Sequence, residues 1–175
     1  MIIWQPINFF YLIQMEQKEF KICLIGGPKT GKTTFLTEML NDSSTNQYQP
    51  TQGISIKDLV IETNHGVYKL SLWDTGGLYR GLESCYYLNS HAALSFYDGQ
   101  CHHYDDPFVK EYHRVIENGP IINIISGRSR EKFMRSTYSM TRRPTYCYQP
   151  KNGLYGAPMV HLMQKLTGHS DLVIH

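Results

Sequence analysis

The sequence predicts an α/β domain built on a mostly parallel six-stranded sheet with helices on both faces. Three observations predict it. Short apolar runs of strand length alternate with segments of helical periodicity. Two neighbouring strand-like runs flank a compact turn and read as a hairpin. A glycine-rich loop stands between the first strand and the first helix.

Taken in order, Phe20–Ile25 is rich in strand formers and stops at Gly26-Gly27-Pro28, a set of strong breakers. A helical segment from Lys32 to Leu40 ends in the polar run 41–44. Ile54–Thr63 and Val67–Trp73 flank Asn64-His65-Gly66, residues that tolerate positive φ, and the alternation over 68–72 marks a half-buried strand. Ala92–Tyr97 is a further apolar strand. Pro107–Glu117 reads as a helix stopped by Asn118-Gly119-Pro120. Ile121–Ile125 and Thr145–Tyr148 complete the six strands. A last helix over 157–167 places Val160, Leu162, Met163 and Leu166 on one face, with Gly168 as its cap.

Composition bounds the rest. At 175 residues and 41% hydrophobic, the chain has room for one domain with a core and a short extension. A net charge of +2 is too balanced to indicate a nucleic-acid binder. The four cysteines (Cys23, Cys85, Cys101, Cys147) form no C-x-x-C pair, which favours a reduced, intracellular setting over a disulfide framework or a zinc module. Residues 1–14 are broken by Gln5, Pro6 and Asn8 and lack a basic start, so they read as an extension outside the fold, with the domain spanning 15–175. Cys101-His102-His103 with Asp105 and Asp106 has no second ligand arm and reads as a loop after a strand.

The segment Gly26-Gly27-Pro28-Lys29-Thr30-Gly31-Lys32-Thr33, followed by Thr34, satisfies G-x-x-x-x-G-K-[ST] in the strand–loop–helix context that the chemistry requires. Backbone N–H groups of such a loop surround a phosphate, and the helix N-terminus adds favourable dipole charge. Lys32 is expected to reach the β- and γ-phosphates and the Thr33 hydroxyl to hold Mg²⁺. Asp74, at the end of a strand and opening D-x-x-G with Thr75, Gly76 and Gly77, is a second candidate for Mg²⁺, and the Gly77 amide for the γ-phosphate. The fold is thus a P-loop NTPase fold.

In motif order, from about Glu19 to His175, the chain resembles the Ras superfamily of small GTPases, most closely the Ran family and next the Rab family. The residues that carry the Ran likeness are 62–66 and 69–75, Cys85-Tyr86-Tyr87, Tyr112-His113-Arg114, Glu117-Asn118 and 162–168 followed by Asp171-Leu172. The resemblance implies a G domain that binds GTP and GDP with Mg²⁺. Tyr48-Gln49-Pro50-Thr51-Gln52-Gly53 then looks like the first switch loop, with Thr51 on Mg²⁺ and the γ-phosphate in the triphosphate state. It also implies nuclear or cytoplasmic partners of Ran type: transport receptors, an exchange factor or a GTPase-activating protein, acting on a monomer.

The chain departs from that pattern at defined positions. The residue after D-x-x-G, normally a Gln that orients the attacking water, is Leu78, which has no donor or acceptor; slow intrinsic hydrolysis is expected. The N-K-x-D motif is replaced by Arg128-Ser129-Arg130-Glu131, in which Glu131 keeps a carboxylate near the base. The S-A-K loop is replaced by Gln149-Pro150-Lys151. Pro150 has no N–H for the guanine carbonyl, while Lys151 matches and is placed over the base. These departures support a second reading, a pseudo-GTPase that binds or decoys Ran- or Rab-type partners with little turnover. An ATP-using P-loop enzyme lacks any substrate or lid motif here. No prenylation cysteine is seen near the C-terminus, so no membrane anchor is expected.

Overall fold

The computed structural model describes residues 18–40, 51–76, 83–97, 106–126, 144–148 and 156–175. The elements run β1 (Lys18–Ile25), α1 (Lys32–Met39), β2 (Ile54–Thr63), β3 (Gly66–Thr75), α2 (Glu83–Tyr87), β4 (Ala92–Tyr97), α3 (Pro107–Val115), β5 (Ile121–Ser126), β6 (Thr145–Tyr148) and α4 (Gly156–Thr167). The strands form one six-stranded sheet in the order β2-β3-β1-β4-β5-β6. Only the β2–β3 pair is antiparallel, as the hairpin turn requires. The short helix α2 has no counterpart in the sequence reading; five residues give too little periodicity to detect.

Alternation along β1 divides the core into two. Ile22 and Leu24 pack with Phe35 and Leu36 of α1 and with Met159, Leu162 and Met163 of α4. Cys23 and Ile25 point the other way, toward Tyr87 of α2 and Val109 and Tyr112 of α3. The sheet is therefore covered on both faces. On α4 Pro158 is buried in the first turn, and Met159, Leu162 and Met163 are buried with Leu166 partly buried against them. That is the i, i+3, i+4, i+7 stripe, and it replaces the expected Val160, which is half-buried. Gly168 ends the helix at φ +78°, its amide donating to the Gln164 carbonyl over 3.0 Å.

The helix after β1 lies on one face and the helix after β3 on the other. The crevice at the C-terminal ends of these adjacent parallel strands is thus the topological switch point, where open α/β sheets bind ligands.

Beyond α4 the chain returns to the far end of the β2–β3 hairpin. Thr63 and Ile174 form an antiparallel bridge. The His175 amide donates to the Glu62 carbonyl over 3.0 Å, and Val173 donates to the Asn64 side chain over 2.8 Å. The described cysteines Cys23, Cys85 and Cys147 are free thiols. Among the described residues no helix is long and apolar enough to cross a membrane.

Helix α3 opens with Asp106 as N-cap, its carboxylate accepting from the amides of Phe108 (2.7 Å) and Val109 (3.3 Å), with Pro107 at the first turn. Asp106→Ala should lower unfolding stability by about 1 kcal/mol in urea titration, and Asp106→Asn by only a fraction of that, because Asn caps equally well. Equal losses for the two would mean that charge rather than capping is at work.

Candidate functional site

Residues Gly26, Gly27, Pro28, Lys29, Thr30 and Gly31 form the turn from β1 into α1, and its shape depends on glycine. Gly26 has φ +136°, and a Cβ there would run into the carbonyl oxygen of Phe96 on β4. Gly31 has φ +91° and would bring a Cβ to 3.1 Å from the Ser126 side chain. Pro28 and Lys29 are exposed, and Lys29 takes φ +62°. Lys32, in the first turn of α1, is 6% exposed and donates from Nζ to the carbonyls of Gly26 (2.7 Å) and Gly27 (2.8 Å). Thr30 closes the turn by donating to the Gly27 carbonyl over 2.8 Å.

The register of β1 and β3 sets Leu24 beside Asp74. The Asp74 carboxylate is fully buried at the end of β3, next to the phosphate loop. Its Oδ2 accepts from the Thr33 hydroxyl at 2.6 Å and from the Thr51 hydroxyl at 3.4 Å, and the two hydroxyls are 3.0 Å apart. Its Oδ1 is buried and has no hydrogen-bond partner among the described residues. Burial pushes the Asp74 carboxyl above its ordinary range, against the pull of Thr33, the Lys32 ammonium and Thr51. A cation there would compensate that cost. Two hydroxyls and a carboxylate form an all-oxygen donor set, and with the orphaned Oδ1 they fit Mg²⁺, which takes few protein oxygens and keeps several waters.

Burial also draws the Lys32 ammonium down to about 8, with Asp74 and Asp106 pulling it back up. Thr51 is brought to this centre by backbone contact. The Gly76 amide donates to the Gly53 carbonyl over 2.8 Å, and a Cβ on Gly76 would collide with the Thr51 carbonyl.

The structure thus brings together Lys32 and Thr33 at the start of α1, Thr51 before β2 and Asp74 on β3, three separate segments of the chain. Thr34 is exposed on the same helical turn. Gly77, Leu78, Glu131 and Lys151 lie outside the described residues, as do 101–105. Two supporting residues escaped the sequence reading. Ser126 at the end of β5 donates to the carbonyls of Thr30 and Tyr97, tying the sheet to the phosphate loop. Nothing in an isolated serine after an apolar strand signals this. Asp106, set aside there as part of a loop, faces Lys32 electrostatically; Asp-Pro before a helical pattern was its available signal.

Residues 21–129 match the family model described as "Ras of Complex, Roc, domain of DAPkinase". The chain belongs to the Roc family. It is accordingly a GTP-binding domain of the Ras superfamily, a superfamily whose members bind GTP or GDP with Mg²⁺. The matched span of this Roc domain includes the phosphate loop, Thr51 and Asp74.

In the nucleotide-free Roc domain, Lys32 gives up its proton as pH rises through about 8. A polyphosphate bound at Lys32 would hold it charged, so binding there would take up a proton above that pH. Affinity for a fluorescent GTP analogue should be level below about pH 8 and fall above it, by up to about tenfold per pH unit. A flat profile to pH 9.5 would reject the assignment of Lys32 to the phosphates. Gly76→Ala should displace the 51–53 segment and weaken the Mg²⁺ dependence of binding at unchanged fold, read by titrating Mg²⁺ against bound nucleotide.

Proposed function

We propose that this domain is a Mg²⁺-dependent guanine-nucleotide switch of Ran-like character with slow intrinsic hydrolysis. The observation that carries it is the convergence of the Thr33 and Thr51 hydroxyls on the buried Asp74 carboxylate beside Lys32. Lys32 binds the β- and γ-phosphates, with the backbone of 26–31 around them and the N-terminus of α1 adding dipole charge. Thr33, Thr51 and Asp74 hold Mg²⁺, which when bound neutralises charge on the phosphate oxygens. Thr51 belongs to the segment that the triphosphate orders, and Gly77 donates its amide to the γ-phosphate.

Leu78 sets the rate. A leucine offers no hydrogen bond to the attacking water, so the loaded state persists after exchange. The Ran character rests on the sequence likeness at 62–75, 85–87, 112–118 and 162–172. The partner classes that go with it are transport receptors, an exchange factor and a GTPase-activating protein, met by a monomer in the nucleus or cytoplasm. Glu131 and Lys151 are the remaining base contacts in this reading.

Leu78, together with Pro150 in the base-reading loop, also favours a second reading: a pseudo-GTPase that engages such partners without useful turnover. Fluorescent GTP and ATP analogues, titrated with Mg²⁺ and followed by single-turnover hydrolysis, separate the two. The first reading expects GTP preference and slow but measurable hydrolysis that rises in Leu78→Gln. Binding with no hydrolysis in either protein selects the second. Lys32→Ala should weaken nucleotide binding by about ten- to hundredfold, the worth of a hydrogen bond to a charged group. An unaltered affinity in that variant would sink both.

A further inference from the structure

The end of the β2–β3 hairpin remote from the phosphate loop carries a cluster that the nucleotide site does not use. We infer that His65, His169 and Asp171 form a binding site for a first-row divalent cation of the Zn²⁺ type, which staples the segment after α4 to the hairpin turn. One ligand-type atom from each residue lies within 4.8 Å of the other two. His65 Nε2 and Asp171 Oδ1 are 2.9 Å apart. The imidazoles of His65 and His169 lie parallel, 3.9 Å between centroids with 2° between planes.

These side chains come from segments over a hundred positions apart, and the backbone holds the two segments together independently of them. Asn64 donates from its amide to the Val173 carbonyl (3.3 Å) and from its side chain to the Asp171 carbonyl (3.1 Å), and accepts from the Val173 amide (2.8 Å). The Thr63–Ile174 bridge adds to this. An ion binding here therefore meets three ligand residues on backbone segments already held together, and little chain entropy is lost on binding.

The chemistry of the set selects the ion. Two imidazoles and one carboxylate suit Zn²⁺ and its neighbours, whereas Mg²⁺ prefers all-oxygen surroundings. Zinc–nitrogen bonds of about 2.0–2.1 Å place tetrahedral ligand atoms about 3.3 Å apart. One imidazole must swing out of the stack to reach that arrangement. The Asp171 side chain is 73% exposed and the His65 side chain 26% exposed, and His169 is exposed, so there is room for the adjustment. Three protein ligands leave a fourth position for water. The site is a structural staple rather than part of the nucleotide chemistry, and it stands whether or not the proposed switch function does.

The test uses the full chain, stripped with chelator and kept in excess Mg²⁺ so that the all-oxygen site does not compete. Zn²⁺ is titrated by calorimetry, Co²⁺ is followed by its visible absorption, and hydrogen exchange is read at the Asn64 and Val173 amides. The expected result is one Zn²⁺ per chain, Co²⁺ bands of a tetrahedral N/O site, and slower exchange at both amides. His65→Ala and His169→Ala should each weaken binding by at least about tenfold, the loss found even for outer-shell partners of a metal. His169→Gln, at an exposed position outside the backbone clamp, keeps the test informative if His65→Ala impairs folding. Absence of stoichiometric binding, or binding unchanged in the His169 variants, would overturn the assignment and leave the stack and the His–Asp hydrogen bond as a metal-free clamp.

Discussion

A buried carboxylate at the end of a strand is the constraint on which this domain turns. Asp74 is removed from water, raised in pKa by that removal, and satisfied among the described residues at only one of its oxygens. Leaving such a group uncompensated is costly. The fold answers with hydroxyls from two other segments and with an ammonium nearby, and each answer fixes a piece of backbone. Thr33 fixes the start of α1, Thr51 the segment before β2, and Lys32 the glycine turn. The same shortage of compensation makes the centre receptive to a cation and, through it, to phosphate.

The sheet supplies the geometry for this. Parallel pairing of β1 with β3 brings Asp74 level with Leu24, one residue before the end of β1. Phe35 of α1 stacks edge-on against both Phe96 and Tyr148, at 5.3 and 5.1 Å, so the helix that presents Lys32 and Thr33 is seated on β4 and β6. Ser126 braces the glycine turn from β5. A turn with few side chains of its own is thereby held from several strands, which is how a rigid scaffold positions a functional loop.

Much of this was legible before any coordinates. The breakers at 26–28 and the Asn64-His65-Gly66 turn each state a local backbone requirement and mark the edge of an observed element, whereas the helix before 118–120 ends at Val115, two residues short of the expected Glu117. The spacing of the two motifs singles out Asp74 and Thr33, and their side chains meet in the structure. What was not readable depends on pairing across the sheet. Ser126 becomes a brace only because β5 ends beside the glycine turn. Met159 rather than Val160 faces the core because the rotation of α4 is set by its seat on the sheet. The motifs shared across the Ras superfamily are local, and the Roc match over 21–129 supports the superfamily without singling out its Ran branch.

The return of the chain to β2 bears on how the open edge of the sheet is covered. An unpaired outer strand is a template for adding another strand, and β2 is the outer strand of this sheet with Ile56 and Val60 exposed along it. The segment 173–175 caps one end of that edge by pairing at Glu62 and Thr63. Along the rest of the strand, Lys57 and Asp58 are exposed charges that disfavour a newcomer. Protection of this edge therefore falls to the segment 173–175 and a few charged side chains, none of which touches the phosphate centre.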